Sequence, residues 1–504
     1  MSSFFTKNIR IIISILAILA LVAIIFQSKG SNSFSNFFYF TSSSWFWPTT
    51  STNSTQNNSV IVHGVTPSSS YDSLVHSLAV IHNSSTLSKS EEKKQRTMKK
   101  LRDEIDKVLI GRKKDEKVEH MEEELTRARI LIKQAFESSN NSSNVISLED
   151  DDVRPHVNIY KNAFAFKRSY LLMEKMFKIY IYEEGEPPLF HHGPCKGIYS
   201  MEGIFMNLIE KNNQFRTNDQ DEAHVYFLPF SVVMILEHLF DPIVRDKAVL
   251  ERTILDYVDI ISHKYPFWNR SLGADHFMLS CHDWGPRATW YHPILYFHSI
   301  RALCNANTSE NFNPRKDVSI PEINIASGEF VGLNRGTPPS NRTILAFFAG
   351  RMHGHIRPAL LTHWKGKNED LQVYEELPKE LSYKEMMKRS KFCLCPSGFE
   401  VASPRIVEAI YAECVPVLIS QNYILPFSDV LDWSTFLVHV SVSEIPNLKK
   451  ILMDIPYEKY LQMLEGVRQV QRHFVMNDPP KRFDVFHMII HSIWLRRLNV
   501  RIYS

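Results

Sequence analysis

One stretch constrains this chain more than any other: Lys391 to Phe427, KFCLCPSGFEVASPRIVEAIYAECVPVLISQNYILPF. Phe392 to Cys395 is a short apolar run bounded by Pro396 and Gly398, which predicts a buried strand. Ser403 and Pro404 predict a helix start, with Ser at the N-cap and Pro at the first helical position. Ile406, Val407 and Ile410 give that helix an apolar face, and Val415 to Ile419 predicts a second buried strand. A strand–loop–helix–strand unit with glycine in its first loop is half of a nucleotide-binding α/β sheet. Ser397, Gly398, Glu400 and Ser403 lie along the loop. The helix N-terminus offers unpaired N–H groups to a diphosphate, and Arg405 can add a charge-assisted contact. Glu408, about one turn further in, can accept from ribose hydroxyls, while Glu400 faces a sugar or water.

A second nucleotide-type half precedes it. Ile344 to Ala349 predicts a strand ending in Gly350-Arg351-Met352-His353-Gly354, where glycines admit a ligand close to the backbone and Arg351 can face a diphosphate. Ile356 to Trp364 is the following helix. In the first half of the globular part, Phe177 to Tyr182 and Ala223 to Phe230 read as strands. His276 to Ser280 reads as a buried strand, with Cys281-His282-Asp283-Trp284 at its carboxyl end. Ligands of open α/β sheets bind at that end, so His282 and Asp283 are placed for general-base work. A structural hydrogen bond is the alternative for His282. Asp275 either joins the catalytic group or closes the turn before the strand. Asp219-Gln220-Asp221 precedes a strand and reads as a solvated loop.

Glu400 and Glu408 are separated by seven residues with an arginine between, a spacing typical of nucleotide-sugar sites in two-Rossmann-domain glycosyltransferases; two solvated acids on a helix would share it. CLCPSG, SPRIVEA, CVPVLIS and ILPFSDVLDW, with GADHF and NPRKDVSIPE upstream, together resemble the exostosin family, glycosyltransferase family 47, in its plant form. The resemblance runs from about Lys178 to Ile451 and implies a GT-B type fold of two Rossmann-like domains facing a cleft. It implies an inverting transfer of a sugar from a nucleoside-diphosphate sugar to a cell-wall or matrix glycan, with His282 or Asp283 as base. Arg351, Arg405 and the helix N-terminus would neutralise the diphosphate, so no cofactor or metal is required. A non-catalytic partner subunit and a membrane-anchored hydrolase are the competing readings.

The N-terminal third directs the chain to a membrane. Ile11 to Phe26 is apolar except for Ser14, and Lys7 and Arg10 precede it. With the two preceding residues it spans about 27 Å as a helix, enough for a thin bilayer, and the charge order leaves the rest of the chain lumenal. The poor cleavage site after Phe26 favours an uncleaved signal anchor over a signal peptide. The expected order is a cytosolic tail 1–10, an anchor 11–26 and a lumenal stem 27–152, helical over 90–136. An acceptor domain 153–335, a nucleotide-sugar domain 336–480 and a closing helix 481–504 follow. A Golgi membrane fits this order. Sequons at Asn53, Asn57, Asn83, Asn140, Asn141, Asn269, Asn307 and Asn341 agree with a lumenal chain. Val118, Met121, Leu125, Ala128, Ile132 and Ala135 form an apolar stripe in the stem, suited either to a homo- or hetero-dimer or to docking on the catalytic unit. A net charge of +3 gives no case for a nucleic-acid partner. Six cysteines leave their pairing open, and no Cys/His spacing resembles a zinc site.

Overall fold

The computed structural model describes residues 115–141, 159–244, 246, 248–326 and 336–502. The apolar run 11–26 and Asn53, Asn57 and Asn83 lie outside these residues. Among the described residues no helix is long and apolar enough to cross a membrane.

The strands form two sheets. The first contains β1 (Ile179–Ile181), β2 (Arg216–Thr217), β3 (Val225–Phe227), β4 (His276–Ser280), β5 (Ile300–Leu303) and β6 (Val318–Ser319), in the order β2-β1-β3-β4-β5-β6. The second contains β7 (Ile344–Ala349), β8 (Leu371–Tyr374), β9 (Ser390–Pro396), β10 (Val415–Ile419) and β11 (Val438–His439), in the order β11-β10-β9-β7-β8. Every pairing is parallel. Parallel strands covered by helices on both faces must be apolar on both faces, which is why β4, β7 and β10 read as continuous hydrophobic runs. In the second sheet β7 has β8 on one side and β9 on the other, so a topological switch point opens at the carboxyl ends of β7 and β9.

The segment after β10 joins the two sheets through backbone. Ile424 N–H donates to Ala306 at 3.0 Å and Thr308 N–H donates to Asn422 at 2.9 Å. The C-terminal helix Val485–Leu498 is buried on nearly every side and reinforces the joint. Its Arg496 reaches Asp429 at 2.7 Å and the Asp317 carbonyl at 2.9 Å, and Arg497 donates to the His224 carbonyl at 2.8 Å. Two disulfides, Cys281–Cys304 and Cys393–Cys414, tie neighbouring strands, while Cys195 and Cys395 are free.

The stem stripe resolves in favour of docking. Helix Glu116–Asn141 buries Val118, Met121, Leu125, Ala128 and Ile132 and lies along helix Ala163–Met176. That face is therefore covered by the chain itself and not free for a dimer. Buried charge seals the contact. Arg129 donates to the Leu498 and Val500 carbonyls at 2.8 Å each, and Glu122 accepts from Arg497 at 2.7 Å and from Arg129. Removing one partner of a buried ion pair costs about 3–5 kcal/mol, because the other charge is left without water. Glu122→Ala should therefore lower the unfolding free energy by about that amount in a denaturant titration, while Glu123→Ala on the exposed face should change it by less than about 0.5 kcal/mol. Equal effects would mean that the helix is not held by this network.

Candidate active site

The loop after β4 is held from below by one buried carboxylate. Glu202, on helix Met201–Glu210, is fully buried. Its Oε1 accepts from Ser280 Oγ at 2.6 Å, Cys281 N–H at 2.9 Å and His282 N–H at 3.1 Å. Its Oε2 accepts from Ser231 Oγ at 2.7 Å and Val233 N–H at 3.3 Å, at the start of helix Val232–Leu239. Five donors satisfy a charge that burial alone would not tolerate. The loop cannot then tilt without breaking several of these bonds.

That loop presents His282 and Asp283 differently. His282 Nδ1 accepts from Trp284 N–H at 2.9 Å. A neutral imidazole with Nδ1 accepting carries its proton on Nε2, so the outward nitrogen can donate but cannot take a proton. Burial also lowers the His282 pKa. His282 thus shapes the loop. Asp283 accepts from Tyr199 O–H at 2.9 Å through Oδ1. Asp275 is removed from the catalytic group. It is 1% exposed at the amino end of β4, bonded to His276 at 2.7 Å and to Ser271 and Arg270. Those bonds hold its carboxyl down to about 2 against burial.

Two further residues at strand ends complete this side. Asn305 follows β5 and is 2% exposed. Its Nδ2 donates to Glu400 at 2.6 Å and to Glu310 at 3.2 Å. The first of these bonds crosses from one domain to the other. Glu322 follows β6 and is 6% exposed, and no hydrogen bond reaches its carboxyl among the described residues. Burial pushes Glu322 up to about 8, with Asp283, Glu408 and Glu400 adding to it and Arg357 opposing. Glu400 is pushed up to about 7 by burial and Glu310, against the bond from Asn305. Among the described residues no group of His, Cys, Asp and Glu is arranged to hold a metal ion.

On the other domain, the two loops at the switch point cross at van der Waals limits. Gly354 has φ +68°, and a Cβ there would lie 2.1 Å from the Gly398 carbonyl oxygen. Ser397 spends its hydroxyl on Ser420 at 2.6 Å and the Val401 carbonyl at 3.0 Å, so it shapes the loop instead of meeting a ligand. The helix begins at Arg405, with Pro404 at the cap and Ser403 Oγ accepting from Arg405 N–H at 3.4 Å, one residue later than the sequence predicts. At seven residues it supplies little dipole. The positive charge comes from side chains. Arg405 donates to the Ala349 carbonyl at 3.0 Å and lies over the Phe348 ring, and its buried Nε has no partner among the described residues. Arg357, on helix Ile356–Trp364, is lowered to about 10 by burial and by the adjacent Arg405. Arg351 does not face the site: its side chain is 85% exposed and 3.5 Å from Glu376. It lies in the outer part of the turn, whereas Arg357 projects back from the first helical turn. Glu408 accepts from Tyr383 O–H at 3.0 Å. Of the sequons, Asn341 is exposed, and Asn269 is exposed with Nδ2 donating to the Ser262 carbonyl at 2.7 Å. Asn307 is 9% exposed with Oδ1 capping Ser309, so packing leaves no room there for a glycan.

Two parallel α/β sheets that meet at their carboxyl ends, with paired arginines on one side and an acidic loop on the other, define a two-domain enzyme built to join an anionic donor to a hydroxyl acceptor. The chain belongs to the exostosin GT47 family: the Exostosin GT47 domain matches residues 173–455, more than half of it. It is 65% identical over 392 residues to Probable glycosyltransferase At3g07620 of Arabidopsis thaliana, covering 77% of this chain and 82% of that protein. It is 57% identical over 385 residues to Probable glycosyltransferase At5g03795 of the same plant, covering 76% and 73%. A more distant relative from that plant, 29% identical over 339 residues and covering 63% and 81%, is a probable beta-1,4-xylosyltransferase. One from Oryza sativa, 29% identical over 309 residues and covering 58% and 70%, is a probable glucuronosyltransferase. Among solved structures, the GtfA/B complex aligns with a TM-score of 0.24 at 11% identity, over 47% of this chain and 48% of that one. The chain is a glycosyltransferase.

Two outcomes follow from the geometry. Gly354→Ala should cost about 1–3 kcal/mol from the backbone alone, before the clash with Gly398 is added. A melting temperature within a degree of wild type would show that the loops do not cross as described. Glu322 and Glu400 hold protons in the folded chain at pH values where the unfolded chain has released them. Stability should therefore fall as pH rises from the ordinary carboxylate range through 7 to 8. Each unit of raised pKa is worth about 1.4 kcal/mol. Glu322→Gln should flatten melting temperature against pH over that window. An unchanged slope would place the buried proton elsewhere.

Proposed function

We propose that this glycosyltransferase moves a sugar, with inversion, from a nucleoside diphosphate to a hydroxyl of a cell-wall or matrix polysaccharide. The observation that carries this reading is the pair Arg357 and Arg405 at the switch point of the second sheet. Two guanidiniums in electrostatic contact repel each other, and an anion between them relieves that cost. A diphosphate is such an anion, and its negative charge grows as it leaves. Arg405 Nε supplies an unused donor. Glu408, held by Tyr383, is placed to accept from ribose hydroxyls. Asp283, steadied by Tyr199 and by the Glu202 clamp beneath its loop, takes the acceptor proton as its oxygen attacks the anomeric carbon. The bond to the diphosphate breaks as the new glycosidic bond forms on the opposite face. With the diphosphate charge met by two arginines, the scheme calls for no metal. The names of the relatives in Arabidopsis and rice support a plant polysaccharide as acceptor.

The charge order around residues 11–26 and the exposed sequons Asn269 and Asn341 support a single-pass, type II protein of the Golgi membrane with its catalytic part lumenal. Two disulfides among the described residues suit the same oxidising compartment.

Calorimetry with UDP and GDP tests the donor site. A charge-assisted hydrogen bond is worth about 1.5–3 kcal/mol, so Arg405→Ala and Arg357→Ala should each weaken the bound nucleotide roughly ten- to hundred-fold. Arg351→Ala should leave it within about two-fold, as for an exposed pair. Asp283→Asn should keep nucleotide affinity and lose about 10²–10⁴ in turnover. A loss with Arg351→Ala that matches the other two would move the diphosphate to the outer turn.

A further inference from the structure

Between the paired arginines and Asp283 lies a wall of carboxyl and amide oxygens. Asn305, Glu310, Glu322 and Glu400 converge there, from the ends of β5 and β6, the turn after β5 and the second-domain loop. The amide of Asn305 gives its protons to Glu400 and Glu310, and its buried Oδ1 is left with no partner among the described residues. Glu322 is almost wholly buried and has no hydrogen bond among them either. The wall thus leaves open the acceptor of Asn305 and, on the carboxyl of Glu322, acceptor capacity together with the proton it holds. Its cations are already committed. Arg301, which acts on Glu310, has its charge met by Asp317 through Nε at 3.1 Å and Nη2 at 2.5 Å, and its buried Nη1 has no partner among the described residues. Arg357, which acts on Glu322, stands beside Arg405 at the diphosphate position.

From this arrangement we infer that the transferred sugar is an uncharged one: its hydroxyls donate to Asn305 Oδ1 and the carboxyl oxygens, and a uronic acid is rejected. The inference rests on the donor-site reading above. Hydroxyl donors supply what the buried acceptors lack. A uronate would bring a further carboxylate against carboxyls whose ionisation burial and mutual proximity already oppose, while the neighbouring guanidiniums face Asp317 and the diphosphate position, and a pocket of this kind discriminates against added negative charge. Glu400 is the residue that sets the preference from the donor side, because it joins the donor loop to Asn305 across the domain boundary.

The test uses the full-length chain and donors that differ only at C6. Calorimetry compares UDP, UDP-galactose and UDP-galacturonate, and then UDP-glucose and UDP-glucuronate. GDP, GDP-mannose and GDP-mannuronate serve if GDP is the nucleotide that binds. The neutral donor should bind at least ten-fold tighter than its uronate partner. Measured at pH 8, above the raised Glu400 pKa of about 7, Glu400→Gln and Glu310→Gln keep an acceptor oxygen and remove a carboxylate, so each should narrow that ratio several-fold while free nucleotide affinity stays unchanged. Uronate donors that bind as tightly as neutral ones overturn the inference and leave the donor site standing, as does a ratio that neither variant alters. Discrimination between neutral galactan and oligogalacturonide acceptors, with donors undiscriminated, would overturn it by giving the wall to the acceptor. Binding of neither UDP nor GDP would overturn the donor-site reading, and this inference with it.

Discussion

The active side of the first domain depends on one buried carboxylate. Glu202 is fully buried and pairs with no cation among the described residues, and hydroxyl and backbone donors converge on it from two elements. The arrangement is demanding in both directions. The carboxylate needs every donor, and the Cys281–Asp283 loop needs the carboxylate to occupy one position. The Cys281–Cys304 disulfide adds a covalent tie from the same loop to the segment carrying Asn305. Asp283, the proposed base, and the interdomain amide of Asn305 are thus fixed relative to each other, which is the condition for low reorganisation during reaction.

The cleft separates charge by domain. Cations stand on the second domain, where β7 and β9 end. Acids stand mostly on the first; the second supplies Glu408 and Glu400, of which Glu400 reaches across to Asn305. Such a site is strained electrostatically on both sides: Arg357 and Arg405 repel each other, and burial with neighbouring acids raises the pKa of Glu322 and Glu400. In the proposed scheme a phosphate-bearing sugar meets both halves with one molecule, its anion at the arginines and its hydroxyls at the acids. On that reading the electrostatics of the cleft carry information about the polarity of the donor.

Much of the fold was legible because parallel strands announce themselves. β4, β7 and β10 begin and end where their apolar runs do, and helix Ile356–Trp364 follows its pattern. β5 was missed because Arg301 interrupts its apolar run, and only the fold shows that Asp317 neutralises it in the interior. The site was half legible. Arg405, Glu400, Glu408 and Asp283 sit on motifs whose local geometry follows from the sequence around them. Arg357 and Arg351 are six residues apart, and which one turns inward depends on how the loop crosses Gly398. Glu202 and Glu322 look like ordinary surface acids, since nothing nearby in sequence supplies their environment. The placement of Glu322 directly after a strand was the one available signal. Asp275 and His282 carried the right residue types, but their partners are fixed by burial and by a single backbone N–H.

The helix at residues 116–141 has a consequence for how the protein is made. The groups that neutralise its Arg129 and Glu122 lie at Arg497, Leu498 and Val500, and the Glu122–Arg497 bond spans 375 positions. A ribosome delivers this helix early and its partners last. Helix Ala163–Met176 emerges soon after to lie against the apolar stripe, but the Arg497 guanidinium and the carbonyls of Leu498 and Val500 arrive only with the last residues. The joint therefore cannot be completed strictly from the N-terminus, and the nascent protein holds this helix without its polar seal through almost the whole of its synthesis, an incompletely packed state of the kind that chaperones protect.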